Sequence, residues 1–147
     1  MTRQDACTLL DTDHNKVERL FNEYQSAQDA SKKSQLAEQI CMELVVHATI
    51  EEEIFYPAFR AATRDDKLVQ EAQHEHQEAK DLIAEIEDGD KIDPLMARLQ
   101  EAVKHHVNEE RTEMFPKARK AAGMDLDALA VQLEARKKKL MANFQPV

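Results

Sequence analysis

Tryptophan is absent from this 147-residue chain, glycine occurs twice, cysteine twice and proline four times. So few turn formers argue against an all-β fold, which needs tight turns every few residues. Cys7 and Cys41 form neither a CxxC pair nor the framework of a disulfide-stapled domain. Both read as reduced thiols, and Cys41, beside Ile40 and Leu44, reads as a small buried hydrophobe. No run of about 18 apolar residues is present to span a bilayer. The opening MTRQDACTLLDTDH lacks an apolar core of signal-peptide length, so the expected compartment is the cytoplasm and no membrane partner is expected. Basic charge is also in the minority: 20 Lys and Arg against 29 Asp and Glu leave a net charge of -9. That balance repels phosphate backbones, and nucleic acid is not an expected partner. The one basic run, Arg136 to Lys139, reads as a solvated helix terminus.

What the chain does have is helical periodicity. Leu10, His14, Val17, Phe21 and Tyr24 fall on one face of a first helix over roughly 6–28, and the polar stretch DASKKS at 29–34 follows it. A second helix, about 34–62, aligns Ile40, Leu44, His47, Glu51, Ile54 and Ala58, with Pro57 expected to bend it or disturb its hydrogen-bond ladder. A third, about 66–88, aligns Ala72, His76, Ala79, Ile83 and Ile86. The fourth is expected to start with Asp93 as its cap and Pro94 at its first position, and aligns Leu95, Leu99, Val103, His106, Glu110 and Met114 before stopping by Gly123. Leu126, Leu129, Leu133 and Leu140 mark a shorter helix over 124–141. Short connections make neighbouring helices antiparallel. The expected fold is therefore all-α: an up-down-up-down four-helix bundle over about 8–122 with a short additional C-terminal helix, in a single domain spanning 1–147.

Each of the four stripes is interrupted by a histidine, and two also by a glutamate. A buried carboxylate without a partner is costly, whereas a metal ion satisfies its charge and fixes its geometry. His47 and Glu51 are four residues apart, as are His106 and Glu110, so each pair shares a helix face about one turn apart. The pairs also belong to a repeat. HATIEEEIFYP at 47–57 and HHVNEERTEMFP at 105–116, aligned on Pro57 and Pro116, superpose His47 on His106, Glu51 on Glu110, Glu52 on Arg111 and Tyr56 on Phe115. Upstream, His14 follows Asp13 and His76 follows Glu75, so each half of the chain supplies one lone His and one HxxxE. Two such hairpins would direct four imidazoles and two carboxylates into one core, a donor set for two ions. Nitrogen and oxygen donors without thiolate favour iron, zinc or manganese.

DH at 13–14, HATIEEEIFYP, EH at 75–76 and HHVNEERTEMF together resemble the hemerythrin-like, HHE cation-binding family over about residues 10–120. That resemblance implies a four-helix bundle holding two non-haem iron ions joined by an oxo or hydroxo bridge. It implies as ligands His14, His47, Glu51, His76, His106 and Glu110, with Glu51 and Glu110 bridging. The oxygen-carrying members have a second His four residues from the one on the third helix, whereas here Ala72 and Lys80 stand four before and four after His76. With one protein ligand fewer, the resemblance leaves a position open or filled by water.

His74 and His105 fall off the apolar register and read as solvated or outer residues; Glu52, Glu53, Glu109 and Glu113 read as solvated face, with Glu113 the spare ligand, and Tyr24 and Tyr56 as core or rim. The expected function is a di-iron protein, monomer or homodimer, that binds or senses dioxygen or a related small ligand such as peroxide or nitric oxide. The alternatives are an enzyme that decomposes hydrogen peroxide or reduces nitric oxide at the same centre, and a protein that stores or handles iron or zinc.

Overall fold

The structure is a computed structural model that describes residues 5–89 and 91–144; the expected domain's two ends and Asp90 lie outside the described residues. Among the described residues seven α-helices follow in order: α1 (Ala6–Ser26), α2 (Ala30–Ile50), α3 (Tyr56–Thr63), α4 (Asp66–Asp88), α5 (Asp93–Glu109), α6 (Phe115–Lys120) and α7 (Leu126–Phe144). A π-helical turn, Glu51–Phe55, joins α2 to α3, and a second, Glu110–Met114, joins α5 to α6. Each of these compound elements runs on as one rod, so the bundle has four rods: α1, α2–α3, α4 and α5–α6. No strand occurs among the described residues, and none of the described helices is long and apolar enough to cross a membrane.

Aspartates start most of the helices by accepting an orphan backbone N–H of the first turn. Asp5 takes the N–H of Thr8 at 2.8 Å, Asp29 that of Lys32 at 3.2 Å, Asp65 that of Leu68 at 3.1 Å and Asp125 that of Ala128 at 3.0 Å. The Asp29 cap overturns the reading of DASKKS as a break: α2 begins at Ala30, four residues earlier than expected, leaving a very short hairpin after α1. Asp93 differs as well. It lies inside α5 with Ile92 at the cap position, and its carboxylate instead accepts Tyr24 Oη and the Lys33 ammonium, tying α5 to the first hairpin.

Pro57 and Pro116 disturb the hydrogen-bond ladder, as expected, by following a wider turn. A proline has no N–H to give to the carbonyl four residues back. In the turn before each proline the ladder widens by one residue, so that Tyr56 N–H bonds Glu51 O and Phe115 N–H bonds Glu110 O.

The apolar interior consists of two clusters. One gathers Leu10, Ile50, Phe55, Tyr56, Phe59, Met114, Phe115 and Leu133 at the α7 end. The other gathers Val17, Phe21, Tyr24, Ile40, Ile83, Ile86, Met96 and Leu99 at the opposite end. The polar positions of all four stripes lie between them, walled from water on both sides. Helix α7 packs on α1, α2 and the first π turn, burying Leu129, Ala130 and Leu133. Leu133→Ala should therefore cost about 2–5 kcal/mol in chemical denaturation, while Val131→Ala on the exposed face of the same helix should stay within about 0.5 kcal/mol. Equal effects would show that α7 is not docked.

Candidate metal centre

The six candidate ligands converge in the layer between the two apolar clusters. His14 comes from α1, His47 from α2, His76 from α4 and His106 from α5, while Glu51 and Glu110 open the two π turns. All four imidazoles direct Nε2 inward. His14 Nε2 lies 2.9 Å from Glu110 Oε1, and His106 Nε2 lies 3.4 Å from Glu110 Oε2. Glu51 Oε1 lies 3.3 Å from His47 Nε2 and 3.1 Å from His76 Nε2. Donor atoms of His14, His47, Glu51 and Glu110 all fall within 4.8 Å of one another, and so do those of Glu51, His76 and His106. The arrangement is thus two adjoining groups: one imidazole pair from each hairpin, with Glu51 common to both and Glu110 spanning them.

Protein contacts alone leave these atoms unsatisfied. His14 Nε2, His47 Nε2, Glu51 Oε2 and Glu110 Oε1 are buried and lack any hydrogen-bond partner; the 2.9 Å approach of His14 to Glu110 brings the two atoms close but not a donor into line with an acceptor. Such orphaned buried atoms are rare and costly. Lone pairs converging from imidazole and carboxylate are what a divalent or trivalent cation satisfies, so the residues present fit a pair of ions with nitrogen and oxygen ligands.

Outside this layer, each imidazole is held by a carboxylate on Nδ1. His14 Nδ1 lies 3.1 Å from Asp11, His47 Nδ1 3.2 Å from Asp13, His76 Nδ1 2.7 Å from Glu52 and His106 Nδ1 2.7 Å from Glu75. A carboxylate there keeps the proton on Nδ1 and frees the Nε2 lone pair for a metal. The acidic residue preceding each lone His therefore serves the other imidazole of its own hairpin: Asp13 serves His47 and Glu75 serves His106. Glu52, expected as solvated face, is part of this ring.

Tyr56 is the residue that periodicity misplaces. Its hydroxyl lies 2.8 Å from Glu110 Oε2, 3.2 Å from Glu51 Oε1, 3.1 Å from His76 Nε2 and 3.3 Å from His106 Nε2. In an α-helix Tyr56 would point about 140° away from Glu51, at about 100° per residue. The π turn places residue i+5 over residue i and brings the phenol onto the ligand face. A phenol oxygen thus stands beside the His76/His106 pair, within hydrogen-bond reach of both imidazoles. Its repeat counterpart, Phe115, stacks on His14 with ring centroids 5.9 Å apart and offers no donor. The two halves of the centre are therefore chemically different.

The remaining acidic and imidazole groups stay outside. Glu113 is exposed and in neither donor group. His74 is exposed and pairs with Glu78 at 3.0 Å. His105 and Glu109 form with Glu75 a surface group whose carboxylate already holds His106. In that group, burial and the Glu75 carboxylate push Glu109 up to about 7. Of the basic run, Arg136 and Lys137 are not free in solvent but reach back to Glu53 and Asp13.

Metal-free, the centre favours protons. Burial opposes a charge on His47, but the Glu51 and Asp13 carboxylates outweigh it and push its pKa up to about 10. His106, against the same burial, is raised well above its usual range by Glu110, Glu51 and Glu75. Burial is likewise overcome at Glu51, held well below the carboxylate range by His47 and its other partners. A proton on His47 thus stabilises the metal-free fold fully below the ordinary imidazole value near 6.5, and that stabilisation is lost as pH rises through about 10. Metal must displace those protons. Zinc titrated into weakly buffered metal-free protein at neutral pH should acidify the solution, and its affinity should rise with pH by up to about tenfold per unit for each proton displaced. Binding that neither releases protons nor changes with pH would place the metal elsewhere.

The profile of the Hemerythrin HHE cation binding domain matches residues 5–118. Over 145 residues the chain is 30% identical to a DNA nickase of a Nostoc species, a match covering 95% of this chain and 40% of that protein. It is 25% identical over 110 residues to an uncharacterised hemerythrin-like protein of Schizosaccharomyces pombe, covering 71% of this chain and 54% of that one. The chain thus spans about half, or less, of the length of these curated relatives. The crystal structure of a hemerythrin HHE cation binding domain-containing protein from Mycobacterium kansasii superposes with a TM-score of 0.79 at 22% identity, covering 97% of this chain and 90% of that one, and so shares the fold. With that family match spread over the four rods, and a His/Glu donor cluster at their centre, the chain belongs to the hemerythrin HHE cation-binding family and is a metal-binding, hemerythrin-like protein.

Proposed function

We propose that the protein is a non-haem di-iron protein that binds dioxygen or a related small ligand, peroxide or nitric oxide, at the His/Glu layer of its bundle. The observation that carries this reading is the pair of buried donor groups, His14, His47, Glu51 and Glu110 on one side and His76, His106 and Glu51 on the other. Two imidazoles with a carboxylate per ion is a donor set suited to ferrous iron that keeps room for a further ligand. The iron pair, when bound, supplies redox capacity and a site for the oxygen or nitrogen atom of that ligand.

The chain's own residues set the size and polarity of what can enter. Beside the imidazoles lies a cavity of about 40 Å³ lined by Leu44, Val45, Ala79, Ile83, Ala102 and Val103. About 10–15 Å³ of such space is enough to hold a water, so a ligand of a few atoms fits beside the imidazoles. Its apolar walls favour an uncharged ligand.

Turnover of peroxide or nitric oxide is a second reading, and Tyr56 favours it. Burial, followed by the Glu110 and Glu51 charges, pushes its phenol pKa well above the usual value, so the proton stays on Oη beside both carboxylates. A proton held there can be delivered to a small ligand or returned from it.

The test is metal content together with the optical spectrum of protein purified in air, then reduced anaerobically, then re-exposed to oxygen. Two irons per chain, with ligand-to-metal bands that vanish on reduction and return with oxygen, are expected; zinc, or a colourless iron-loaded protein, would refute the proposal. Tyr56→Phe copies Phe115 and should fit sterically. If the protein turns over peroxide, this substitution should lower the rate by about 10²–10⁴ at unchanged iron content. If it is a carrier, reversible binding should survive.

A further inference from the structure

The ring of carboxylates around the imidazoles is itself held from outside by basic side chains. Arg111 donates to Asp11 at 2.6 Å, Lys80 to both oxygens of Glu52 at 3.1 Å, and His105 pairs with Glu75 at 3.2 Å. Lys137 donates to Asp13 at 2.5 Å. Arg111, Lys80 and His105 belong to the four rods. Lys137 comes from α7, which lies beyond residues 5–118 of the family match.

We propose that α7 is a working part of the metal centre, and that Lys137 is a positioning residue that fixes His47 through Asp13. The proposal rests on the reading of His14 and His47 as ligands of one ion and His76 and His106 as ligands of the other.

Asp13 is buried, at 8% exposure, so its carboxylate depends on protein partners rather than water. One hydrogen bond to His47 would leave the group free to turn about its Cβ–Cγ bond. With Lys137 on Oδ1 and His47 on Oδ2, both oxygens are tied and the imidazole plane is set. The lysine stem is itself mostly covered, and α7 is held at that point by two further anchors. Leu129 and Leu133 sink into the apolar cluster below the centre. Arg136 grips Glu53 of the first π turn with two bonds, at 2.8 and 3.2 Å, two residues from Glu51. Helix α7 packs on α1, α2 and that π turn, the first hairpin, which carries His14 and His47. Through Asp13, Lys137 reaches only His47, a donor of one group, so its loss should fall on one ion and not on its neighbour. Replacement of outer partners of metal-bound histidines weakens affinity by about 10–100-fold, and that is the scale expected here, confined to one of two sites.

The experiment compares the wild-type 147-residue chain with Lys137→Met, Lys137→Arg and Lys138→Met, each loaded with zinc and challenged with a chelator. In Lys137→Arg and in Lys138→Met, which alters an exposed neighbour on the same helix, the two ions should leave at wild-type rates. In Lys137→Met one ion should leave about 10–100-fold sooner while the other stays within about twofold. Loss of both ions together, or no change, or failure of arginine to restore retention, would overturn the proposal, because a merely structural role for α7 predicts equal weakening of both sites. The metal-free proteins give an independent readout by NMR. The protected Nδ1–H proton of His47 should be seen in wild type and Lys137→Arg and lost in Lys137→Met; its persistence in Lys137→Met overturns the proposal even if that variant binds metal poorly. Should wild type itself hold fewer than two ions, the ligand assignment fails, and the His47 proton signal still decides whether Lys137 positions the imidazole.

Discussion

Glu51 and Glu110 carry two carboxylates into the middle of a helical bundle, at 0% and 1% exposure, and the rest of the structure answers that burial. Ionised groups taken from water at such a depth cost several kcal/mol each unless compensated. Compensation comes from four imidazoles and a phenol on the inside, and from two apolar clusters above and below that keep competing water away. With protons on His47 and His106 the cluster still carries orphaned atoms, which a bound metal would satisfy. The same groups that hold the fold together without metal are those that must give up protons to receive it. Stability and metal uptake are two sides of one charge balance.

The internal repeat gives this centre its near symmetry, and one pair of positions breaks it. Tyr56 and Phe115 follow equivalent π turns, yet one brings a hydroxyl between His76 and His106 and the other a plain ring against His14. The outer surroundings break the symmetry as well, because α7 packs on the first hairpin and, among the described residues, has no counterpart against the second. The two halves are thus nearly the same in sequence pattern and different in the groups around their imidazoles.

Much of this was readable in the chain before folding. The helices follow from the three-four spacing of apolar residues, and their number and order from the short polar breaks between them. The six candidate ligands stand out because a His or Glu inside an apolar stripe has no inexpensive place to go. Both inferences use residues within a few turns of one another, where periodicity is a reliable guide. The start of α2 was misread because DASKKS looks like a break by composition, while Asp29 acts as a cap; the two uses of the same polar residues differ only in backbone conformation.

Tyr56, Glu52 and Lys137 were not readable, for two separate physical reasons. A π turn changes which residues share a face, and nothing in a run such as EEEIFYP declares that its ladder will widen before the proline. The outer carboxylates and their cations depend on contacts between elements far apart in the chain: Asp13 meets Lys137 across 124 residues and Asp11 meets Arg111 across 100. A basic run next to a solvated helix end looks the same whether its lysines face water or a buried aspartate. The sequence by itself determined the helices, the ligand types and their register, because those are set by spacing along one helix. Only the tertiary structure decided which carboxylate orients which imidazole, where the phenol lies and what α7 does, because these are fixed by how the rods rotate and pack against one another.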